Sequence, residues 1–154
     1  MTKSPFQQQP LLAGEEILAL IPQRAPIVMV DRFYGIDAEG SYTGLQIEAS
    51  NMFCNEGLFD ECGITEHIAQ SAAARIGYIY IQKGEAVPIG FIGSIDKMHY
   101  HVKAKEGDLL QTTIRIEQEV FDITMISAQV HVAEELIAEG QMKIFLKHED
   151  NETK

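Results

Sequence analysis

The feature that most constrains the fold is one long helix that is apolar on more than one side. Residues 64–82 carry apolar positions at helical spacing, and a stripe of small residues runs beside them. The apolar stripe holds Ile64, Ile68, Ala72 and Ile76, and the small stripe holds Ala69, Ala73 and Gly77. A helix that is apolar on several sides is normally buried. A sheet wrapped around this helix is the simplest way to bury it.

Most of the expected strands follow the helix. Apolar and polar residues alternate with a period of two in three segments, which predicts an antiparallel meander with one solvated face. These segments are residues 110–117, 126–132 and 142–146, and residues 89–102 form a further extended run. The elements expected before the helix are a short helix (14–21), two hairpin strands (27–36 and 42–47) and a loop (50–63). The expected fold class is α+β.

The length of the chain predicts a single domain. Its 154 residues suffice for one core but not for two. We expect residues 1–12 to form a loose N-terminal arm and residues 148–154 to form a frayed tail. No basic segment followed by an apolar one starts the chain, so we expect no secretory signal and a cytoplasmic location. Glu66 and Arg75 argue against the long helix as a membrane span.

The charge and the cysteines exclude some functions. The net charge of −11 argues against nucleic-acid binding, which needs clustered Lys and Arg side chains. Cys54 and Cys62 form neither a disulfide framework nor a zinc-binding pattern. We therefore expect no metal and no other cofactor.

Short motifs in a fixed order point to a family. They are LIPQRAP at residues 20–26 with VDR at 30–32, EHIAQ at 66–70, GSIDK at 93–97, GDL at 107–109, and LIAEG at 136–140. With these gaps, residues 14–147 resemble the 3-hydroxyacyl-[acyl-carrier-protein] dehydratases of type II fatty acid synthesis. The resemblance implies the hot-dog fold, a curved antiparallel sheet wrapped around one central helix.

The resemblance also implies an acid and a base that come from the two subunits of a dimer. In this family, a loop histidine removes the proton on C2 and a helix glutamate protonates the leaving hydroxyl. Glu66 matches the glutamate, whereas Met52, followed by Phe53, occupies the position of the histidine. No histidine occurs from residue 50 to residue 66, so this chain departs from the family at the base.

Other residues complete the expected site. Gln70 lies one turn after Glu66, where it can contact the carboxylate or the substrate, or pack at a subunit junction. Gly63 and Ile64 precede the expected helix, so their N–H groups would be free to bind the thioester oxygen. Phe53 is the expected substrate contact beside them.

The histidines elsewhere in the chain are not obvious replacements for the base. His67 follows Glu66 and would point about 100° away around the helix, toward a partner or solvent. His99 and His101 are interpreted as a solvated strand face rather than a metal site. The remaining two are His131, on the polar side of its strand, and His148, in the tail.

Three functions remain open, and we favour the first. A dehydratase or hydratase would use Glu66 with a water or a relocated histidine. A thioesterase would use Glu66 with Gln70 and would need no histidine. A non-catalytic partner subunit would only bind acyl chains. In each case the expected ligand is an acyl thioester on acyl carrier protein or coenzyme A, and the expected assembly is a homodimer or a higher homo-oligomer.

Overall fold

The computed structural model describes residues 3–147. Its strands are β1 (Leu12–Ala13), β2 (Arg32–Ile36), β3 (Ser41–Gln46), β4 (Cys54–Asn55), β5 (Leu58–Phe59), β6 (Ile89–Tyr100), β7 (Leu109–Val120), β8 (Ile123–Val132) and β9 (Glu135–Lys147). Seven of them form one antiparallel sheet in the order β1-β2-β3-β7-β8-β9-β6, and β4 pairs with β5. The sheet packs on one long helix, α1 (Glu61–Gln82). This is the α+β arrangement that the sequence predicts.

Helix α1 begins earlier than the apolar pattern indicates. Asp60 is its N-cap, and the Asp60 carboxylate accepts a hydrogen bond from the Cys62 N–H. Such a cap satisfies an N–H group that has no partner inside the helix. The first turn is polar, so periodicity alone places the start at residue 64. No helix among residues 3–147 is long and apolar enough to cross a membrane.

Strands β7, β8 and β9 form the meander that the alternating pattern predicts. Ile114 pairs with Ala128 across β7 and β8, and Ile126 pairs with Met142 across β8 and β9. All four side chains are buried. The period of two therefore places one face of these strands against α1, while the other face carries polar residues.

The N-terminal arm is packed on the sheet, so the prediction of a loose arm is wrong for the described residues. The Phe6 ring lies edge-on to Tyr34 and Tyr42, with centroid distances of 5.2 and 5.6 Å. The Leu11 N–H donates to the Phe33 carbonyl, and β1 pairs with β2. Aromatic packing and strand pairing offset the entropy of ordering this segment. Residues 1–2 and the predicted tail, 148–154, lie outside the described residues.

Other boundaries before α1 also differ from the prediction. The expected short helix is a 3-10 helix, Gly14–Ala19. The expected strand over 27–36 begins only at Arg32, because the backbone of Ile27 and Met29 bonds to side chains of α1 instead of to a strand. The expected loop over 50–63 contains the short β4–β5 pair and the start of α1.

Helix α1 contributes buried residues to two apolar clusters. The larger cluster packs Ile64, Ile68 and Ala72 against the inner face of the sheet. The smaller one packs Ala74 against Ile17, Leu20, Val30 and Phe33. The prediction that this helix is buried on more than one side is confirmed.

Candidate active site

Glu66 and Gln70 are joined by a direct hydrogen bond on α1. The Gln70 Nε2 donates to Glu66 Oε2 at 2.7 Å and to the Ile27 carbonyl at 2.7 Å. The Gln70 Oε1 accepts from the Met29 N–H at 2.6 Å, and the Gln70 side chain is fully buried. Because Oε1 faces a donor, Nε2 must face Glu66. Glu66 Oε2 is therefore held as an acceptor, and any proton that Glu66 transfers is carried by Oε1.

An apolar cavity lies beside this carboxylate. It has a volume of about 200 Å³, and Glu66 is part of its wall. Its apolar walls include Leu20, Ala69, Ala73, Ile76, Ile92 and Ile144. Such a lining suits an apolar ligand group, and Glu66 gives the site an acid–base group. Gln23 also lines the cavity, and its Oε1 is buried without a hydrogen-bond partner in the described part of the chain.

The structure places Phe53 and Met52 away from this cavity. The Phe53 ring packs edge-on against Phe59 with a centroid distance of 6.3 Å, and the Phe53 carbonyl accepts from the Asp60 N–H. Met52 is 52% exposed. Neither residue lines the cavity beside Glu66. Phe53 therefore supports the start of α1, and its expected contact with substrate stays a prediction.

The prediction that Gly63 and Ile64 offer free N–H groups is wrong. Both residues lie in the first turn of α1, and both N–H groups point to the Asp60 carbonyl, at 2.9 and 3.3 Å. Gly63 has a different role, since a Cβ at this position would lie 2.8 Å from Phe53 Cβ. The absence of a side chain lets the β4–β5 segment pack against the helix.

His67 is fully buried, so the prediction that it faces a partner or solvent is wrong. Its Nδ1 lies 2.6 Å from the Met29 carbonyl, and its Nε2 lies 2.7 Å from Thr112 Oγ1. The carbonyl can only accept, so Nδ1 carries the proton and Nε2 accepts from the Thr112 hydroxyl. With both nitrogens engaged and no solvent contact, His67 cannot serve as the relocated base.

Burial of His67 predicts a dependence of stability on pH. Burial lowers the pKa of His67 from 6.5 to about 4. Below pH 6.5 His67 is protonated in the unfolded chain but stays neutral in the folded protein. The free energy of unfolding therefore falls as pH drops toward 4. The full effect is roughly 3 kcal/mol, and it is absent above pH 6.5.

Urea unfolding of wild type and His67→Gln between pH 7.5 and pH 4.5 measures this effect. The carboxylates titrate in both proteins, so their contribution cancels in the difference between the two curves. We expect the difference in unfolding free energy to shrink as pH falls. Parallel curves would show that His67 does not carry the effect.

The remaining described histidines lie outside the cavity that contains Glu66. The rings of His99 and His101 stack with centroids 6.1 Å apart, and His101 Nε2 lies 2.8 Å from Glu139 Oε2. His131 shares the polar side of β8 with Gln129. No group of three or more His, Cys, Asp or Glu side chains within residues 3–147 could hold a metal ion. His148 lies outside the described residues.

The sequence analysis did not identify the wall of the cavity that comes from residues 20–23. Leu20, Pro22 and Gln23 form that wall, and Ala69 and Ala73 on α1 line the same cavity. The LIPQRAP motif contains all three, but it carries no spacing that would place it beside the helix. The small-residue stripe of α1 was the available signal, since small side chains leave room for another segment or a ligand.

Comparisons with known proteins agree with this geometry. The model of the ApeP-like family, described as ApeP dehydratase, matches residues 15–154. The 3-hydroxyacyl-[acyl-carrier-protein] dehydratase FabZ of Natranaerobius thermophilus is 27% identical over 135 residues, which cover 85% of this chain and 94% of the relative.

Solved structures with the same fold confirm the predicted hot-dog architecture. The dehydratase heterocomplex ApeI:P from Xenorhabdus doucetiae superposes with a TM-score of 0.80 at 13% identity, covering 92% of this chain and 93% of that chain. A hypothetical thioesterase with coenzyme A from Streptococcus pneumoniae gives a TM-score of 0.62 at 9% identity, covering 78% and 88%.

Proposed function

The chain belongs to the ApeP-like dehydratase family, and we propose that it supplies the acid, Glu66, to a 3-hydroxyacyl thioester dehydratase whose base comes from a second polypeptide. The observation that carries the proposal is the Glu66 carboxylate in the wall of an apolar cavity, held through one oxygen by the buried Gln70. The substrate is an acyl thioester on acyl carrier protein or coenzyme A. The name of the FabZ relative supports acyl carrier protein.

The proposed reaction needs one acid and one base. The base removes the proton on C2 while protonated Glu66 gives its Oε1 proton to the 3-hydroxyl group. The bond from C3 to oxygen breaks, water leaves and a 2-enoyl thioester remains. In the reverse direction, Glu66 removes a proton from water as it adds to C3. The apolar walls hold the acyl chain so that C3 lies at the carboxylate.

The case for a second polypeptide begins with the base. No histidine occurs in residues 50–66, and His67 has both nitrogens engaged in the core. Within residues 3–147, the lining of the Glu66 cavity includes no histidine. A dehydratase built on this chain therefore needs a base from elsewhere. The name of the structurally similar ApeI:P, a heterocomplex, supports a partner that differs from this chain.

Strand β6 is the proposed contact with that partner. It is the last strand of the sheet, and one side of it has no neighbouring strand among residues 3–147. Its exposed apolar side chains are Ile89, Phe91, Ile92 and Ile95. A long apolar edge of this kind invites pairing with another strand. Ile92 also lines the cavity, so a partner on β6 would lie close to Glu66. A homodimer through the same edge stays a prediction.

Substitution of the edge tests the contact. We expect Ile95→Lys to raise the dissociation constant of the pair by at least about 100-fold, because it places an unpaired ammonium in an apolar interface. Ile95 is 46% exposed, and Val120, on β7 three places from β6 in the sheet order, is 44% exposed. Val120→Lys is therefore the matched control and should pair normally. Light scattering with size-exclusion chromatography measures both; equal behaviour of the two variants would place the contact elsewhere.

Reconstitution tests the function itself. The chain is assayed alone, and then with each other hot-dog protein of its source organism, whose own helix acid is replaced by alanine. The substrates are 3-hydroxyacyl, 2-enoyl and saturated acyl thioesters, with enoyl absorbance and released thiol followed separately. We expect no turnover by the chain alone, and interconversion of the hydroxyacyl and enoyl thioesters with one partner.

Three outcomes of this assay overturn the proposal. Turnover of the enoyl thioester by the chain alone would mean that it contains its own base. Thiol release without a change in enoyl absorbance would identify a thioesterase. If neither enoyl absorbance nor released thiol changes with any partner, the chain is a binding subunit without catalytic activity.

A further inference from the structure

A chain of buried hydrogen bonds leads from the sheet to Glu66. Thr112 on β7 bonds to His67, and His67 bonds to the Met29 carbonyl. The N–H group of Met29 bonds to Gln70, and Gln70 bonds to Glu66. Thr112, His67 and Gln70 each have 0% exposure. The proposed acid is thus the end of a continuous network that starts in the sheet.

We propose that His67 is a positioning residue for Glu66, acting through the backbone of Met29 and the side chain of Gln70. The inference rests on the proposed role of Glu66 as the acid. His67 does not touch the cavity, so its effect on a substrate is indirect.

The segment that carries Met29 explains why a histidine is needed. Ile27 and Met29 belong to no strand, and their backbone groups are bonded by two side chains of α1, His67 and Gln70. Removal of the imidazole would leave the buried Met29 carbonyl without its donor, at the cost of an unsatisfied group. The segment would then shift to find another donor.

Movement of this segment would change the acid. The Gln70 Oε1 is anchored by the Met29 N–H at 2.6 Å, which fixes the direction of Nε2. If Met29 moves, the amide of Gln70 can rotate and offer Glu66 its oxygen instead of its NH₂ group. Glu66 Oε2 then loses the hydrogen bond from Gln70 Nε2. Without that bond, Oε2 is no longer fixed as the acceptor, and the proton is no longer confined to Oε1. A network of buried bonds that is fully satisfied holds such a geometry rigidly.

Three substitutions separate this role from simple packing. His67→Leu fills a similar space and removes both hydrogen bonds. His67→Asn keeps a donor near the position of Nδ1, facing the Met29 carbonyl. His67→Gln keeps a polar group near the position of Nε2, facing Thr112. A packing role predicts that Leu is tolerated best, whereas the positioning role predicts that Asn is.

The first readout does not need activity. In wild type, the side-chain NH₂ signals of Gln70 in ¹⁵N–¹H NMR spectra should show slow exchange with water, because the amide is buried and bonded. We expect the same in His67→Asn, and exchange faster by at least about tenfold in His67→Leu and His67→Gln. Unchanged protection in folded His67→Leu would overturn the proposal, whether or not a partner makes the chain an active dehydratase. Absence of dehydratase activity in every wild-type complex would overturn only the proposed function.

The second readout is kinetic and uses the active complex. We expect His67→Leu to lower kcat by about 10- to 100-fold with KM changed less than about threefold, and His67→Asn to recover most of kcat. In a Gln70→Ala background, His67→Leu should change kcat by less than about twofold, because both act on Glu66 by one route. Additive effects would overturn the proposal. If His67→Leu does not fold, His67→Asn is compared with His67→Gln instead. Equal kcat values for these two variants would contradict the positioning role.

Discussion

Replacement of Glu66 by Gln is expected to lower the dehydratase rate of the reconstituted pair by at least about 10³-fold, within the range that a positioned acid contributes. The amide has nearly the shape of the carboxyl group, and it can still accept the hydrogen bond that Gln70 Nε2 donates to Oε2. It has no proton to give to the leaving hydroxyl. Enoyl absorbance under saturating substrate measures kcat, and acyl binding should remain within about threefold.

A carboxylate that does not line the cavity provides the matched control. Glu117 on β7 is exposed and accepts a hydrogen bond from Ser127 at 3.2 Å. Glu117→Gln makes the same chemical change and should keep the wild-type rate within about twofold. A Glu66→Gln pair with wild-type kcat would remove Glu66 from the reaction. Parallel losses in the two variants would point to an effect of charge on docking of the two chains.

Much of the fold was predictable because periodicity records burial. The apolar stripes of α1 and the alternation in β7, β8 and β9 each reflect one dominant set of contacts. The family resemblance was also confirmed, since the ApeP-like family model matches residues 15–154. Where local pattern and global packing agree in this way, sequence predicts structure well.

The site was less predictable because its contacts join segments without periodicity. His67 follows Glu66 directly, and the sequence alone does not show that its two nitrogens form hydrogen bonds with the Met29 carbonyl and Thr112. The N–H groups of Gly63 and Ile64 are likewise engaged, because the helix begins at its cap, Asp60, before the apolar pattern does. Such details depend on where irregular segments pass the helix. The candidate acid was visible in the sequence, whereas the residues that hold it were only partly so.

Replacement of Gly77 by Val is expected to destabilise the chain by roughly 4 kcal/mol, at the upper end of overpacking effects. Gly77 is buried on α1, and a Cβ there would overlap the carbonyl oxygen of Leu20 and lie 2.8 Å from its carbonyl carbon. The clashing atoms belong to the backbone, so a change of side-chain rotamer cannot relieve the overlap. Thermal unfolding should show a melting temperature lower by about 8–16 °C for a domain of this size.

Gly90→Val tests whether the added volume itself is responsible. A Cβ at Gly90 would meet Ile144 Cγ2 at 3.5 Å and Leu146 Cδ2 at 3.7 Å, which are ordinary contacts, and valine is favoured in strands. The free energy of unfolding of this variant should lie within about 0.5 kcal/mol of the wild-type value or above it. An equal loss in both variants would contradict the argument. Because Leu20 also lines the cavity beside Glu66, the close approach at Gly77 holds one wall of the site as well as the fold.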